Sequence, residues 1–319
     1  MFRIERELAE YYNPVTKKRD VVEIEIRFDP LTGKRSRVIE KPLPISTEPD
    51  VGNVEKEWCP FCDENIYNVG ARDTRIANGE LIERGEAILL ANITPYAEIS
   101  LVIRLTKKHY LPISEFEAEH FYNAFILAKE YLERVGAKYV NIMMNYLKPA
   151  GSSVTHPHIQ VIASKYLLDY QERVVEAAKE FYEKNGANFW DVMWERSEER
   201  KVAETKWRWF TPFAPRGFEH VCAYINKGLS EMDEELLDLS EGIVKILKAY
   251  SDMGYNSFNF GIFGSLEGED FLATQFDIVA RSVMSKYYWN DVFAITKIYD
   301  EAYTNKKPED LAKEIKKYF

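Results

Sequence analysis

Among 319 residues the chain has three cysteines, five histidines and three glutamines, and no apolar run long enough to cross a membrane. An odd cysteine count, with Cys59 and Cys62 close together and Cys222 alone, argues against a disulfide framework and suits a metal or redox site. The longest apolar stretches, 87–92 and 99–103, fall far short of the roughly 20 residues a spanning helix needs. The opening Met1-Phe2-Arg3-Ile4-Glu5-Arg6-Glu7 alternates charged with apolar residues and lacks the core of a secretory signal, so a cytoplasmic protein without membrane contact is expected. Positive charge is also short: 42 Lys and Arg face 52 Asp and Glu, for a net charge of -10. Basic runs such as Lys17-Lys18-Arg19 and Lys34-Arg35 are short, which disfavours nucleic acid as a partner and leaves small phosphorylated ligands open. Few Gln beside many Glu, Lys and Tyr is the composition of heat-adapted proteins.

Hydrophobic residues make up 46% and aromatic residues 14%, enough for a large packed core, and the length suits two domains or one duplicated domain. Branched and aromatic runs predict strands at 21–27, 88–92, 99–105, 139–146 and 158–164. Between them Ser114 reads as an N-cap, Phe116, Phe121, Phe125, Ile126 and Leu132 as an apolar face, and Gly136 as a left-handed C-cap, so a helix is expected over 114–135. The same order returns as strand 221–225, a helix opening at Ser230 and closing at Gly254, and strands 257–263 and 272–280. That repetition predicts an internal duplication whose second copy has lost both histidines of the first. Residues 167–185 and 189–201 read as charged amphipathic helices, a connector or lid, and a last helix starts near Pro308. Trp190, Trp194, Trp207 and Trp209 are expected to pack between the halves, Gly261, Gly264 and Gly268 to form a plain turn, and His120 to lie mid-helix at the surface. The fold class is α+β, with antiparallel sheets and helices packed on one side; the halves are divided as 1–195 and 196–319.

Cys59-Pro60-Phe61-Cys62 is a CxxC, whose spacing lets two thiolates reach one metal ion, and its irregular, Pro-rich approach favours metal over redox chemistry. His156 and His158 stand two apart at the start of a strand, and His158 shares a face with Gln160. Two loop histidines satisfied by local hydrogen bonds would be the plain alternative. Gly151-Ser152-Ser153 upstream can offer backbone N–H groups and two hydroxyls to a phosphate. Imidazole is neutral near pH 7 and a suitable nucleophile toward an activated phosphoryl group. Gln160 can donate to phosphoryl oxygens without supplying a proton.

Taken together, Cys59-Pro60-Phe61-Cys62, Asn145, Gly151-Ser152-Ser153 and His156-Pro157-His158-Ile159-Gln160 resemble the galactose-1-phosphate uridylyltransferases, the transferase branch of the histidine-triad superfamily. Asp29-Pro30-Leu31-Thr32-Gly33, Asn92-Ile93-Thr94-Pro95 and the segment 210–219 are similar to further parts of that family, so the resemblance covers most of 25–285. It implies a histidine-triad-like fold, one structural zinc on Cys59, Cys62, His109 and His156, and His158 as the nucleotidylated residue with Gln160 on the phosphoryl group. It also implies nucleotide contacts at Asn145, Gly151, Ser152 and Ser153, a base and ribose segment at Asn92 and Tyr96, and a homodimer. The implied reaction, in galactose and carbohydrate metabolism, moves UMP between UDP-glucose and galactose 1-phosphate by a ping-pong route. A phosphorylase of ADP- or UDP-sugars is the alternative; a nucleotide hydrolase is weaker, because Gln160 stands where such enzymes carry another His. A zinc-stapled binding protein without turnover is the non-enzymatic reading. Two departures stand out. The second half offers only His220 toward a second metal site, so none is expected, and the family's Arg pair after the N-terminal signature has only Arg35, Arg37 or Lys41 as replacements.

Overall fold

Period-two runs of branched and aromatic residues fold here into two sheets, and the helices that cover them come from the period-3.6 segments between. The computed structural model describes residues 1–40, 58–75, 79–281, 292 and 294–319. Strands β1 (Arg3–Asn13) and β2 (Lys18–Phe28) form a long hairpin continued by β3 (Arg35–Val38). The first half then runs α1 (Asp63–Val69), β4 (Ile82–Arg84), β5 (Ala87–Ala91), β6 (Ile99–Arg104), α2 (Ala118–Val135), β7 (Tyr139–Tyr146) and β8 (His158–Ala163). Helices α3 (Asp169–Asn185) and α4 (Phe189–Glu195) lead to the second half: β9 (Lys201–Glu204), β10 (Arg208–Phe210), β11 (Phe218–Ile225), α5 (Glu234–Asp252), β12 (Ser257–Ser265) and β13 (Thr274–Arg281). After α6 (Ala294–Lys297), β14 (Ala302–Thr304) returns to pair parallel with β3, and α7 (Pro308–Ile315) follows.

The duplication is written in the strand order. One antiparallel ten-stranded sheet reads β4-β5-β6-β8-β7-β12-β13-β11-β10-β9, so each half mirrors the other across the β7–β12 pair. Register makes the correspondence residue-specific: Gln160 faces Met143 in the first half, Asp277 faces Gly261 in the second, and Met143 faces Gly261 at the centre. This is an α+β, internally duplicated, histidine-triad-like fold.

Alternation decides which face carries chemistry. Ile142, Met144, Ile159, Val161, Phe258, Phe260 and Ile278 are buried on the face packed by Phe121 and Phe125 of α2 and Ile243, Ile246 and Leu247 of α5. The intervening residues, including His158, Gln160, Asn145, Asn259 and Asp277, therefore point to the opposite face. Burying several such large side chains, each contributing about 1.5–3 kcal/mol, fixes the register, because a one-residue slip would turn the whole set outward. The N- and C-terminal segments are pinned by a buried ion network in which Arg27 pairs with Glu25 at 2.7 Å and Glu309 at 2.8 Å.

Several expectations are corrected. Ser114 does not cap the first long helix: 113–115 is a separate 3-10 turn, and α2 begins at Ala118 behind Glu117. His120 is consequently a first-turn residue whose Nδ1 accepts from the Glu117 N–H at 3.0 Å, a capping box in place of a mid-helix surface site. Gly136 does take the left-handed C-cap, with φ 64°. Ser230 likewise lies in a 3-10 turn, and α5 starts after Asp233. The helix expected over 189–201 ends at Glu195, and Lys201 already belongs to β9. Of the four tryptophans, Trp207 and Trp209 pack inside the second half, where Trp209 meets Phe276 and the α5 backbone at Gly242, so that any Cβ there would collide with its indole. Trp190 and Trp194 of α4 pack against Tyr224, Phe263 and Leu272 of the second half, as expected. Gly261 and Gly264 lie inside β12, leaving Gly268 as the turn residue, with φ 85°.

Candidate active site and metal centre

Four side chains that could hold a metal ion converge from three parts of the first half. Cys59 and Cys62 lie just before α1, Cys62 at its N-cap, His109 follows β6, and His156 precedes β8. The Sγ of Cys59 lies 3.6 Å from Nδ1 of His156; Cys62 Sγ lies 3.6 Å from the same nitrogen and 3.4 Å from Nδ1 of His109. All four atoms fall within 4.8 Å of one another. With metal–sulfur bonds of about 2.3 Å and metal–nitrogen bonds of about 2.0–2.1 Å at tetrahedral angles, neighbouring ligand atoms stand about 3.6 Å apart, so the residues fit a four-coordinate ion. The donor chemistry agrees. Burial and the adjacent Cys59 push the Cys62 thiol up to about 12, so a cation is what would hold Cys62 as a thiolate. Burial lowers His156 to about 4, which keeps its imidazole neutral, as a ligand must be. His156 Nε2 donates to the Thr106 carbonyl at 2.7 Å, leaving Nδ1 unprotonated toward the sulfurs.

The nucleophile candidate is attached to this centre through the backbone. His158, 7% exposed at the head of β8, donates from Nδ1 to the carbonyl of His156 at 2.8 Å. That bond fixes the tautomer with an unprotonated Nε2, and burial holds the ring's pKa below its usual value. Phe61, inside the CxxC, packs its ring 5.2 Å from the His158 ring. Gln160 is half-buried on the same face, and no side-chain hydrogen bond engages its amide among the described residues.

The loop between β7 and β8 turns sharply through Leu147 at φ 66° and Gly151 at φ 85°. Ser152 is buried with its hydroxyl donating to the Val154 carbonyl at 2.6 Å, so of the two expected serine hydroxyls only that of exposed Ser153 is uncommitted. Asn145 accepts at Oδ1 from Asn259 Nδ2 at 2.6 Å, which aims its own N–H donors away from β12. Asn92 and Tyr96 are not gathered with these residues. Asn92 follows β5 and pairs its backbone with Ser100, four residues along β6 from Arg104, the partner of His158, a separation of roughly 13 Å. Tyr96 is 75% exposed, and the Nδ2 of Asn92 is buried without a partner. Arg35 and Arg37 both pair with Glu301, at 3.1 and 2.9 Å, which ties them to the β3–β14 sheet, and Lys41 lies outside the described residues.

Three supporting residues escaped the sequence reading. Buried Arg104 donates to the carbonyls of Phe61 and Glu86, at 3.1 and 3.0 Å, and so ties the CxxC loop to the strand opposite His158. Glu86 accepts from Thr106 Oγ1 and the Lys107 N–H, holding the segment that supplies the carbonyl to His156. Asn259, from the second half, also donates to the Ala150 carbonyl at 2.9 Å and steadies the β7–β8 loop. None sits in a motif, and a lone strand Arg or Asn carries no spacing signal. The second half also places Cys222 and Asp277 beside His220.

This architecture is that of the uridylyltransferases and their GalT-like relatives. A solved uridylyltransferase mutant superposes at a TM-score of 0.68 over 92% of this chain and 97% of its own, with 20% identity. An ADP-glucose phosphorylase from Arabidopsis thaliana with bound ADP-glucose gives 0.70 over 92% and 98%, with 16% identity. No family model matches the sequence. The chain belongs to the same family as a protein of Archaeoglobus fulgidus described as uncharacterized, which is 43% identical over 99% of this chain and 98% of that protein. Among the described residues no helix is long and apolar enough to cross a membrane.

Proposed function

We propose that the protein is a nucleotidyltransferase that moves UMP between a UDP-hexose and a hexose 1-phosphate, UDP-glucose and galactose 1-phosphate being the substrate pair. One observation carries this reading: an imidazole whose tautomer is set by the carbonyl of a neighbouring metal-ligand candidate, leaving Nε2 free for attack. Nε2 of His158 attacks the α-phosphorus, the N–P bond forms as the bond to the bridging oxygen breaks, and hexose 1-phosphate departs. A phosphate oxygen of the second substrate then attacks the same phosphorus and releases the imidazole. Gln160 donates to the phosphoryl oxygens, and Asn145, Gly151, Ser152 and Ser153 line the phosphate side. Asn92 and Tyr96 are assigned to the base end, a role that requires the nucleotide to extend along β6. The work divides between residues 1–195, which hold the chemistry, and 196–319, within a cytoplasmic homodimer.

Zinc is the ion assigned to Cys59, Cys62, His109 and His156, and four protein ligands leave it a positional role. Its ligand His156 lies two residues before the nucleophile, so losing the ion frees the loop that aims His158. Cys59→Ser should therefore lower the melting temperature and the bound zinc, measured by calorimetry and metal analysis, along with activity. An unchanged melting curve together with metal-free wild-type protein would refute the assignment.

A second reading, an ADP- or UDP-sugar phosphorylase, is supported by the likeness to the ADP-glucose phosphorylase. Incubating the protein separately with UDP-glucose and ADP-glucose labelled in the α-phosphate tests both. Acid-labile, alkali-stable label on His158 from one of them supports covalent transfer and reads the base preference. The acceptor that discharges it, sugar 1-phosphate or inorganic phosphate, separates transferase from phosphorylase. No label from either nucleotide sugar overturns the reading.

A further inference from the structure

The second half carries a cavity that the catalytic reading leaves unused. Gln160 has as its counterpart Asp277, and Arg216 precedes β11 as Tyr96 precedes β6. Asp277 stands three strands from Gln160 across the outer face, roughly 14 Å away. Around it lies a groove of ≈ 310 Å³ between α3 and the sheet, lined by Asn141, Gln171, Gly261, Phe263 and Gln275. The groove continues past Arg216 into a more enclosed arm where Leu31, Phe189 and Trp190 stand beside the charged Asp29, Lys34 and Arg35.

The His220, Cys222 and Asp277 group beside it is a clamp for Arg216, and its geometry differs from that of a metal centre. One oxygen of Asp277 is 2.6 Å from Arg216 Nη2, 2.9 Å from His220 Nε2 and 2.9 Å from Cys222 Sγ. These spacings are shorter than the edges of about 3.3–3.6 Å that a tetrahedral ion imposes. His220 Nδ1 accepts from the Arg216 backbone N–H at 3.0 Å, so Nε2 carries the proton and donates to Asp277. For the same reason His220 cannot act as a base toward Cys222. The three groups converge on one carboxylate oxygen, and that carboxylate orients one guanidinium. Arg216 is exposed, with 32% of its side chain accessible, and it lines both cavities. Its face covers Tyr170 at 4.6 Å, and among the described residues only Nη2 is engaged, which leaves N–H donors at Nε and Nη1.

We propose that this cavity binds a phosphate monoester, with the phosphate on Arg216 and the rest of the molecule among Asn141, Gln171 and Gln275, separately from the catalytic histidine. A guanidinium held at Nη2 by Asp277 presents its remaining N–H donors to an anion without further ordering, which favours a charge-assisted hydrogen bond to phosphate. Gln171 is committed, donating to Asn141 Oδ1 and accepting from the Leu168 N–H, and Gln275 Nε2 donates to the Ala273 carbonyl, which leaves Asn141 Nδ2 as donor and Gln275 Oε1 as acceptor for hydroxyls. A cavity of a few hundred Å³ is the size of a small-ligand pocket. The duplication accounts for the site's existence: the copy that lost its histidines retains a cleft on the same face.

Gly261 supplies the test. A Cβ added there meets nothing within 4 Å, so Gly261→Leu can leave the backbone unstrained while its side chain projects into the groove. Equilibrium dialysis of the full chain with UMP, glucose 1-phosphate and inorganic phosphate, each labelled, should show one equivalent per chain that Gly261→Leu removes. UMP and glucose 1-phosphate should compete for it, and inorganic phosphate should bind more weakly than either. Arg216→Gln should weaken that equivalent by about 10- to 150-fold, the value of a hydrogen bond to a charged group. Labelling of His158 by nucleotide sugar should be unchanged in Gly261→Leu. Equal binding in wild type and a folded Gly261→Leu, or no binding to wild type, overturns the site. Loss of His158 labelling in Gly261→Leu overturns its separateness. The dialysis difference does not depend on turnover, so failure of the transferase reading leaves it measurable.

Discussion

His158→Gly should lose turnover by about 10⁴-fold or more while keeping its fold and its zinc. The expectation follows from a division of labour between two histidines only two residues apart. His156 points Nδ1 at Cys59 and Cys62, whereas His158 meets the metal centre only through the His156 carbonyl. On the proposed mechanism, removing the second imidazole deletes the atom that would form the covalent bond and leaves all four candidate ligands in place. Turnover and covalent label should vanish together, and metal analysis should still find one ion per chain. Equal loss of zinc in the variant would contradict the division. Retained turnover without label would instead point to direct transfer between substrates.

The division also marks how far the sequence could be read. Strand β7 was legible to the residue, because Tyr139 to Tyr146 is a branched and aromatic run bounded by turn signals, and β8 followed from the alternation after His158. Cys59 and Cys62 were legible as a metal pair because CxxC is a local pattern with ligand spacing, whereas His109 and His156 joined them only through the family resemblance. Helix starts were misread where a 3-10 turn intervened, since Ser114 and Ser230 carry a capping side chain in a segment that does not continue as α-helix. Arg104, Glu86 and Asn259 were invisible because their partners are backbone carbonyls and amides far along the chain, and which carbonyl lies nearby is decided by sheet register alone. The Arg216 clamp was missed similarly. His220 and Cys222 lie two apart, but Asp277 reaches them only because β11 pairs with β13.

Gln160→Ala should slow both half-reactions by a similar factor, about a hundredfold to a thousandfold, the usual cost of losing one donor to a charged transition state. In wild type the amide lies on the outer face two residues from the nucleophile, half-buried and without a side-chain partner among the described residues, so its donors are available to a ligand. Its second-half counterpart, Asp277, is a carboxylate committed to Arg216, His220 and Cys222, which shows how differently one sheet position is used in the two copies. The same phosphoryl oxygens are bound when nucleotide arrives on His158 and when it leaves, so the loss falls on both directions. An amide also offers no proton to a leaving group, and the nucleotidyl-His158 intermediate should persist until a phosphorylated acceptor reaches it. Rapid-quench measurements of label appearing on His158, and of its discharge by added sugar 1-phosphate or phosphate, read the two steps separately. A Gln160→Ala effect on only one step would place the amide on a substrate group present in that step alone. Wild-type intermediate that water discharges as fast as either acceptor would replace transfer with hydrolysis.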